Sequence, residues 1–176
     1  WGAYLKHAGH EGIIFTGKAS RPTYLWIDDG KVEFRDASDL WGEDTRETER
    51  RVKVELGDDT NISVACIGPA GEAGIAGAMI KNDRNHGAGK GSPGAAMGAK
   101  NLKAIAVRGT GTVPLFDAPG LVETAVEWEE QLFPGTEDPT QRTVAEALQD
   151  AGNSRGYYHL FGSHRRVIGK NMTDPE

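Results

Sequence analysis

The residues best suited to chemistry lie together, in Asn82-Asp83-Arg84-Asn85-His86-Gly87-Ala88-Gly89-Lys90-Gly91-Ser92-Pro93-Gly94. Glycines recur at 87, 89, 91 and 94, so the backbone can take positive φ and come close to a ligand. Ser92-Pro93 reads as a helix start, with Ser as N-cap and Pro at the first helical position. A glycine-rich loop feeding a helix N-terminus exposes backbone N–H groups at the positive end of the helix dipole. That chemistry suits a phosphate or pyrophosphate. The alternative is a glycine-rich connection selected for tight packing. Arg84, His86 and Lys90 in the same stretch favour an anion site.

Two familiar phosphate patterns fit poorly. A P-loop requires G-x-x-x-x-G-K-[ST], but Gly89-Lys90 is followed by Gly91 and preceded five residues earlier by Arg84. The dinucleotide fingerprint G-x-G-x-x-G is met literally by Gly89, Gly91 and Gly94. The helix it opens has room for only about two turns before Leu102 begins a strand, short for a βαβ crossover. Arg108 stands where that motif needs an acidic residue.

Elsewhere the chemistry is sparse. His7, His10, His159 and His164 form no ligand spacing with a carboxylate and read as surface or capping residues. Cys66 is the single cysteine and sits in an apolar run, an inert core thiol. It excludes a disulfide framework, a thiolate zinc site or an iron–sulfur cluster built by this chain alone. No nucleophile–base set or carboxylate pair stands out, so neither a catalytic nor a metal-ligating residue is assigned. The net charge of -6 over 176 residues lacks the basic face that nucleic acid demands. No apolar run approaches the roughly 18 residues of a membrane span.

The supporting elements follow from periodicity and punctuation. Gly2–Ala8 suits the last turns of a helix, with Gly9 beyond it. Gly12–Thr16 reads as a short buried strand. Thr23–Ile27 and Lys31–Arg35 flank Asp28-Asp29-Gly30, a strong hairpin signal, with Tyr24 and Trp26 on one face and Leu25 and Ile27 on the other. Asp44 or Thr45 caps a charged helix to Leu56, stopped by Gly57, whose Arg/Glu run reads as a solvated face. Asn61–Ile67 has the pattern of a central strand, and Leu102–Val107 of another. A short helix over Pro93–Lys100 lies between the glycine loop and Leu102. Asp117 caps a helix to Leu132, and Thr143 a second to Ala151; the tail from Asn153 reads as irregular. The expected organisation is an α+β domain over 1–112 and the start of a helical domain over 113–176.

The sequence resembles the tungsten- and molybdenum-dependent aldehyde ferredoxin oxidoreductases, nearly continuously from Trp1 to Pro114. The resemblance rests on Trp1-Gly2-Ala3-Tyr4-Leu5-Lys6-His7-Ala8-Gly9, Gly12-Ile13-Ile14-Phe15-Thr16-Gly17-Lys18-Ala19, Asp36-Ala37-Ser38-Asp39-Leu40-Trp41-Gly42 and Ile67-Gly68-Pro69-Ala70-Gly71-Glu72. It closes with Gly94-Ala95-Ala96-Met97-Gly98-Ala99-Lys100-Asn101-Leu102-Lys103-Ala104-Ile105-Ala106-Val107.

The resemblance implies a saddle of two sheets under a metal held by two pyranopterin dithiolenes (tungstopterin or molybdopterin). It places cofactor contacts on His86, Gly87, Ala88, Gly89 and Lys90, with the backbone at Gly87 near a Mg2+ ion bridging the pterin phosphates. Many members carry Arg-Ala-Ala-Gly-Arg-Gly-Gly where this chain has His86-Gly87-Ala88-Gly89-Lys90-Gly91-Ser92. Lys keeps a charge but loses the bidentate fork, and His makes the charge pH-dependent. The family's other pterin loop is expected upstream of Trp1, and the cysteines for its 4Fe-4S cluster downstream of Glu176. This piece alone is therefore expected to be inactive.

The implied whole is a cytoplasmic enzyme, compatible with a homo-oligomer. It would oxidise aldehydes to carboxylic acids, or reduce the acids, and pass electrons to ferredoxin or another electron-transfer subunit. The rival readings are the same scaffold acting on an aromatic acyl thioester, a stand-alone phosphate- or nucleotide-binding module, and a gene relic.

Overall fold

The computed structural model describes residues 1–83, 86–135, 146, 168–169 and 174–175. The chain divides into two compact units, Trp1–Pro114 and Leu115–Glu176.

The first unit is built on a six-stranded mixed sheet in the order β2-β1-β6-β3-β4-β5. Its strands are β1 (Thr23–Asp28), β2 (Lys31–Asp36), β3 (Ile62–Cys66), β4 (Ile80–Asn82), β5 (His86–Ala88) and β6 (Leu102–Arg108). Helices α1 (Gly2–His7), α2 (Thr45–Glu55), α3 (Pro69–Glu72) and α4 (Pro93–Ala99) complete it, with a 3-10 turn over Ser38–Leu40. The α+β class is as expected, and this stretch contributes one sheet.

The β1–β2 hairpin forms around Asp29 and Gly30, whose φ values of 45° and 87° are both positive. Two positive-φ residues give a turn whose twist matches that of the flanking strands. β1 then splits its side chains as expected: Tyr24 and Trp26 enter one core, Leu25 and Ile27 the other. β6 is paired in parallel with β1 and antiparallel with β3, and both of its faces are covered. Ala104 and Ala106 lie with Val52 of α2, while Ile105 and Val107 lie with Leu5 of α1 and Met97 of α4. A strand covered on both sides must be apolar throughout, which is why Leu102–Val107 and Asn61–Ile67 read as buried strands.

β6 breaks this alternation once. Thr23 pairs with Leu102 but Tyr24 pairs with Ala104, so Lys103 is an inserted residue at a bulge. Bulges redirect a side chain out of the regular alternation. Lys103 is completely buried. Its ammonium group pairs with the Glu72 carboxylate at the end of α3 and donates to the Glu43 carbonyl at 2.8 Å. The same carboxylate accepts the Gly42 N–H, at 2.9 and 3.1 Å to its two oxygens. One buried ion pair thus ties α3 and the 42–44 turn to the centre of the sheet.

Two expectations are corrected here. Gly12–Thr16 is not a strand. The sheet's edge strands are β2 and β5 and this segment pairs with neither; Ile14 is 91% exposed while Ile13 and Phe15 pack on the second core. The charged run of α2 is not wholly solvated either. Thr48, Glu49 and Val52 are buried, and the Glu49 carboxylate meets Lys53 Nζ at 2.9 Å. The cap itself is as read: Asp44 Oδ1 accepts the N–H groups of Arg46 and Glu47 at 2.8 and 2.9 Å.

In the second unit α5 (Ala118–Leu132) starts at Asp117, whose Oδ1 accepts the Gly120 N–H at 3.0 Å. It ends ahead of Pro134-Gly135, as expected. Two short strands, β7 (Ile168–Gly169) and β8 (Asp174–Pro175), pair antiparallel within the stretch read as irregular. The helix expected over Thr143–Ala151 falls, apart from Glu146, outside the described residues.

Helices α3 and α4 meet through glycine. A Cβ on Gly98 would lie 1.9 Å from the Gly71 carbonyl oxygen, and one on Gly94 would lie 2.7 Å from the Met79 carbonyl oxygen. Both contacts are with backbone, so relief requires moving a helix. Gly98→Ala should lower stability by about 3 kcal/mol, at the upper end of ordinary overpacking. Gly2→Ala, with nothing within 4 Å of its Cβ, should be neutral or slightly stabilising. Urea unfolding of the two variants tests the difference, and equal midpoints would contradict the close approach.

Candidate functional site

The glycine stretch is a hairpin followed by a turn. Asn82 of β4 stands opposite His86 of β5, Lys81 opposite Gly87 and Ile80 opposite Ala88. β5 is the edge strand of the sheet, so its outward N–H and C=O groups have no partner strand. His86, Gly87, Ala88 and Lys90 are exposed, and Gly89 is half-buried. Arg84 and Asn85 lie outside the described residues.

The hairpin is held at its base by Asp83, which has a φ of 43°. Its carboxylate accepts the Ser63 hydroxyl, the Val64 N–H at 3.1 Å and the Asn82 side-chain amide at 3.0 Å, with Lys53 Nζ at 3.5 Å. Burial pushes this carboxyl up, but those hydrogen bonds and the Lys53 charge outweigh it and hold it below the usual range. Sequence inspection passed over Asp83. An Asp preceding a two-residue link between short strands was its only signal.

The helix that follows does not supply the donors expected of it. Ser92 takes a left-handed conformation (φ 59°, ψ 46°) and makes no side-chain cap. Its Oγ accepts the Gly77 N–H at 2.9 Å instead. The Gly94 N–H goes to the Ala78 carbonyl at 3.0 Å, and the Ala95 and Ala96 N–H groups go to the Ser92 carbonyl at 3.1 and 3.3 Å. Pro93 has none to give. The start of α4 is consumed in docking onto the 77–79 turn, so anion binding here falls to the loop itself and its side chains.

Those side chains are the ammonium groups of Lys81 and Lys90 and the imidazole of His86. No carboxylate lies within ion-pair distance of Lys81, His86 or Lys90 among the described residues. Elsewhere Arg108 holds Asp28 at 2.8 and 2.9 Å and Lys53 holds Glu49 at 2.9 Å, while Lys18, Lys31 and Arg46 also stand outside any ion pair among the described residues. Arg108 is therefore a structural residue. The Gly89–Gly91–Gly94 fingerprint also loses its dinucleotide meaning, because β3 and β4 separate β5 from β6 and no βαβ unit exists.

Of the other candidates, His159 and His164 lie outside the described residues. Cys66 is buried, and its thiol is pushed up to about 12 by that burial. His7 Nδ1 bonds with the Gly111 carbonyl at 2.8 Å, a structural contact. Contrary to its surface reading, His10 has an enclosed Nε2 with no hydrogen-bond partner among the described residues. No group of three metal-ligating side chains occurs among the described residues. A groove of about 560 Å3 lined by Phe15, Phe34, Lys100 and Asn101 borders β1 and β2, at the opposite edge of the sheet from the loop.

With this geometry set out, comparison with known proteins gives a consistent assignment. Residues 1–109 match the family described as aldehyde ferredoxin oxidoreductase, N-terminal domain. The chain belongs to this family.

Among its relatives, the tungsten-containing aldehyde ferredoxin oxidoreductase of Pyrococcus furiosus is 49% identical over 117 residues, covering 66% of this chain and 19% of that protein. The aliphatic sulfonate oxidoreductase, WOR-like subunit, of the same organism is 35% identical over 144 residues, covering 75% of this chain and 23% of the relative. Among solved structures, the active site complex BamBC of benzoyl coenzyme A reductase with 1,5 dienoyl-CoA superposes with a TM-score of 0.70. Its identity is 38%, over 77% of this chain and 21% of that one. The chain spans about a fifth of the length of the curated relatives it matches. Among its described residues no helix is long and apolar enough to cross a membrane.

The Asp83 anchor predicts a pH signature. A carboxyl held low in the folded state adds stability that is fully present above the ordinary carboxylate range and is lost as pH falls through the depressed value. Asp83→Asn should be less stable than the parent at neutral pH by about 1.5–3 kcal/mol, the worth of hydrogen bonds to a charged acceptor. The gap should narrow as the pH falls below the ordinary carboxylate range and through the depressed value. Denaturant unfolding across that range checks it, and a gap that persists in acid would count against the ionised anchor.

Proposed function

We propose that this chain is part of a tungsten- or molybdenum-dependent bis-pterin oxidoreductase, and that the β5 loop holds the phosphates of its cofactor. The observation that carries the reading is a glycine loop on an open sheet edge with lysines that no carboxylate of the described residues neutralises. Gly87 and Gly89 present no side chain, so a ligand can reach the backbone. Lys90 is exposed beside them with its charge unspent. The family membership and the tungsten-containing relatives support a pterin-borne metal.

The donor set fits phosphate better than metal. His86, Gly87, Ala88, Gly89 and Lys90 provide backbone groups, one imidazole and one ammonium, and no hard carboxylate ligand. A Mg2+ ion between phosphates would therefore draw on backbone carbonyl oxygen near Gly87. Cys66 does not fit an iron–sulfur cluster: it is a lone, buried, protonated thiol, and cluster ligands must come from elsewhere in the enzyme. When bound, the cofactor would supply the two-electron chemistry; the residues here bind it, orient it and neutralise its phosphates.

The reaction proposed for the whole enzyme is oxidation of an aldehyde to a carboxylic acid, with electrons leaving for ferredoxin or another redox subunit in the cytoplasm. The benzoyl coenzyme A reductase neighbour favours a second reading, in which the same scaffold serves a low-potential reduction of an aromatic acyl thioester. Both readings give the β5 loop the same task.

Lys90→Ala in the full-length enzyme should lower tungsten and pterin content several-fold without moving the unfolding midpoint. Elemental analysis and the fluorescence of released, oxidised pterin check it. Unchanged content would remove the loop from the cofactor site.

A further inference from the structure

We propose that Lys81, on the strand beside the glycine loop, is an additional phosphate-binding residue of the same cofactor site. This inference rests on the reading of the β5 loop given above.

Lys81 stands in a row across three strands, with Cys66 on one side and Gly87 on the other. Residues in register across a sheet project to the same face. Cys66 is buried beneath α2, where its thiol meets the Thr45 carbonyl at 3.4 Å, and that side offers no room. Gly87 has no side chain, and the Lys81 stem lies across it. The position a Cβ would occupy on Gly87 is 3.7 Å from both Cδ and Nζ of Lys81. The Met79 sulfur, 3.3 Å from the same point, walls the other side. The missing side chain at 87 is thus a channel that carries the Lys81 ammonium toward the open edge of β5.

The charge reaches that edge unpaired. Lys81 is half-buried, and no carboxylate of the described residues lies within ion-pair distance of it. A partly desolvated ammonium without a counter-charge is unfavourable by itself and favourable once an anion arrives.

The experiment uses the full-length enzyme, with tungsten and released pterin measured per polypeptide after gel filtration at increasing salt. Lys81→Met should lose cofactor several-fold faster than the parent, and Lys81→Arg should retain it. Retention in Lys81→Arg beside loss in Lys81→Met separates the charge from the packing of the stem. Lys81→Gln serves in place of the Met variant if the latter fails to fold.

Retention equal to the parent in Lys81→Met, with loss in Lys90→Ala, overturns the role of Lys81 and leaves the loop reading intact. No loss in either variant overturns both. Loss in Lys81→Arg equal to that in Lys81→Met also overturns the proposal, since the charge is then not what matters.

Discussion

A lysine ammonium and a glutamate carboxylate, both removed from water at the centre of the sheet, set the terms for everything around them. Burying either group alone would be prohibitive, and breaking such a pair costs about 3–5 kcal/mol. Lys103 and Glu72 therefore have to meet, and meeting requires the β6 bulge, the short helix α3 and the 42–44 turn to occupy fixed relative positions. The remaining donors and acceptors close the arrangement: Glu72 takes the Gly42 N–H, and Lys103 also reaches the Glu43 carbonyl. The Ile67 N–H bonds to the Lys103 carbonyl at 3.0 Å, so the chain entering α3 is sewn to the same residue by its backbone.

From that anchor the order passes outward to the loop. α3 carries Gly71 against Gly98 of α4, and the turn after α3 receives Ser92 and Gly94 at the head of α4. The β4–β5 hairpin is fixed separately, by Asp83 on β3. The loop between His86 and Gly91 is thus held at both ends by rigid elements, while the outward edge of β5 has no partner strand and Lys90 no ion-pair partner among the described residues. Its capacity for an anion comes from charge and accessible backbone, since the helix dipole is already occupied by the 77–79 turn.

Much of this was legible in the residues, and the failures share a cause. The hairpin at Asp29-Gly30, the Asp44 and Asp117 caps and the two apolar strands depend on neighbours within a few positions, and each appears where local pattern puts it. Gly12–Thr16 has a strand's composition, but sheet topology gives it no partner. Glu49 belongs to a charged run, but the packing of α2 on β3 turns it inward. Ser92-Pro93 is a strong helix-start signal that tertiary contact redirected, since Gly77 competes for the same hydroxyl. Lys103 could not be distinguished from any other lysine, because its burial depends on a bulge that only the pairing of β6 with β1 creates. At the candidate site, glycine spacing and the cations at 86 and 90 were visible in one stretch, but Lys81 joins them only through the pairing of β4 with β5.

The glycine seam between α3 and α4 divides the neighbourhood into two regimes of tolerance. At Gly98 and Gly94 even one methyl group meets backbone, so the sequence there is confined to a single residue type by geometry alone. At 81, 86 and 90 the side chains are exposed or half-exposed and contribute little to packing. Such a scaffold can be re-tuned for a different anion, or for a different balance of charge around the same one, without renegotiating its fold.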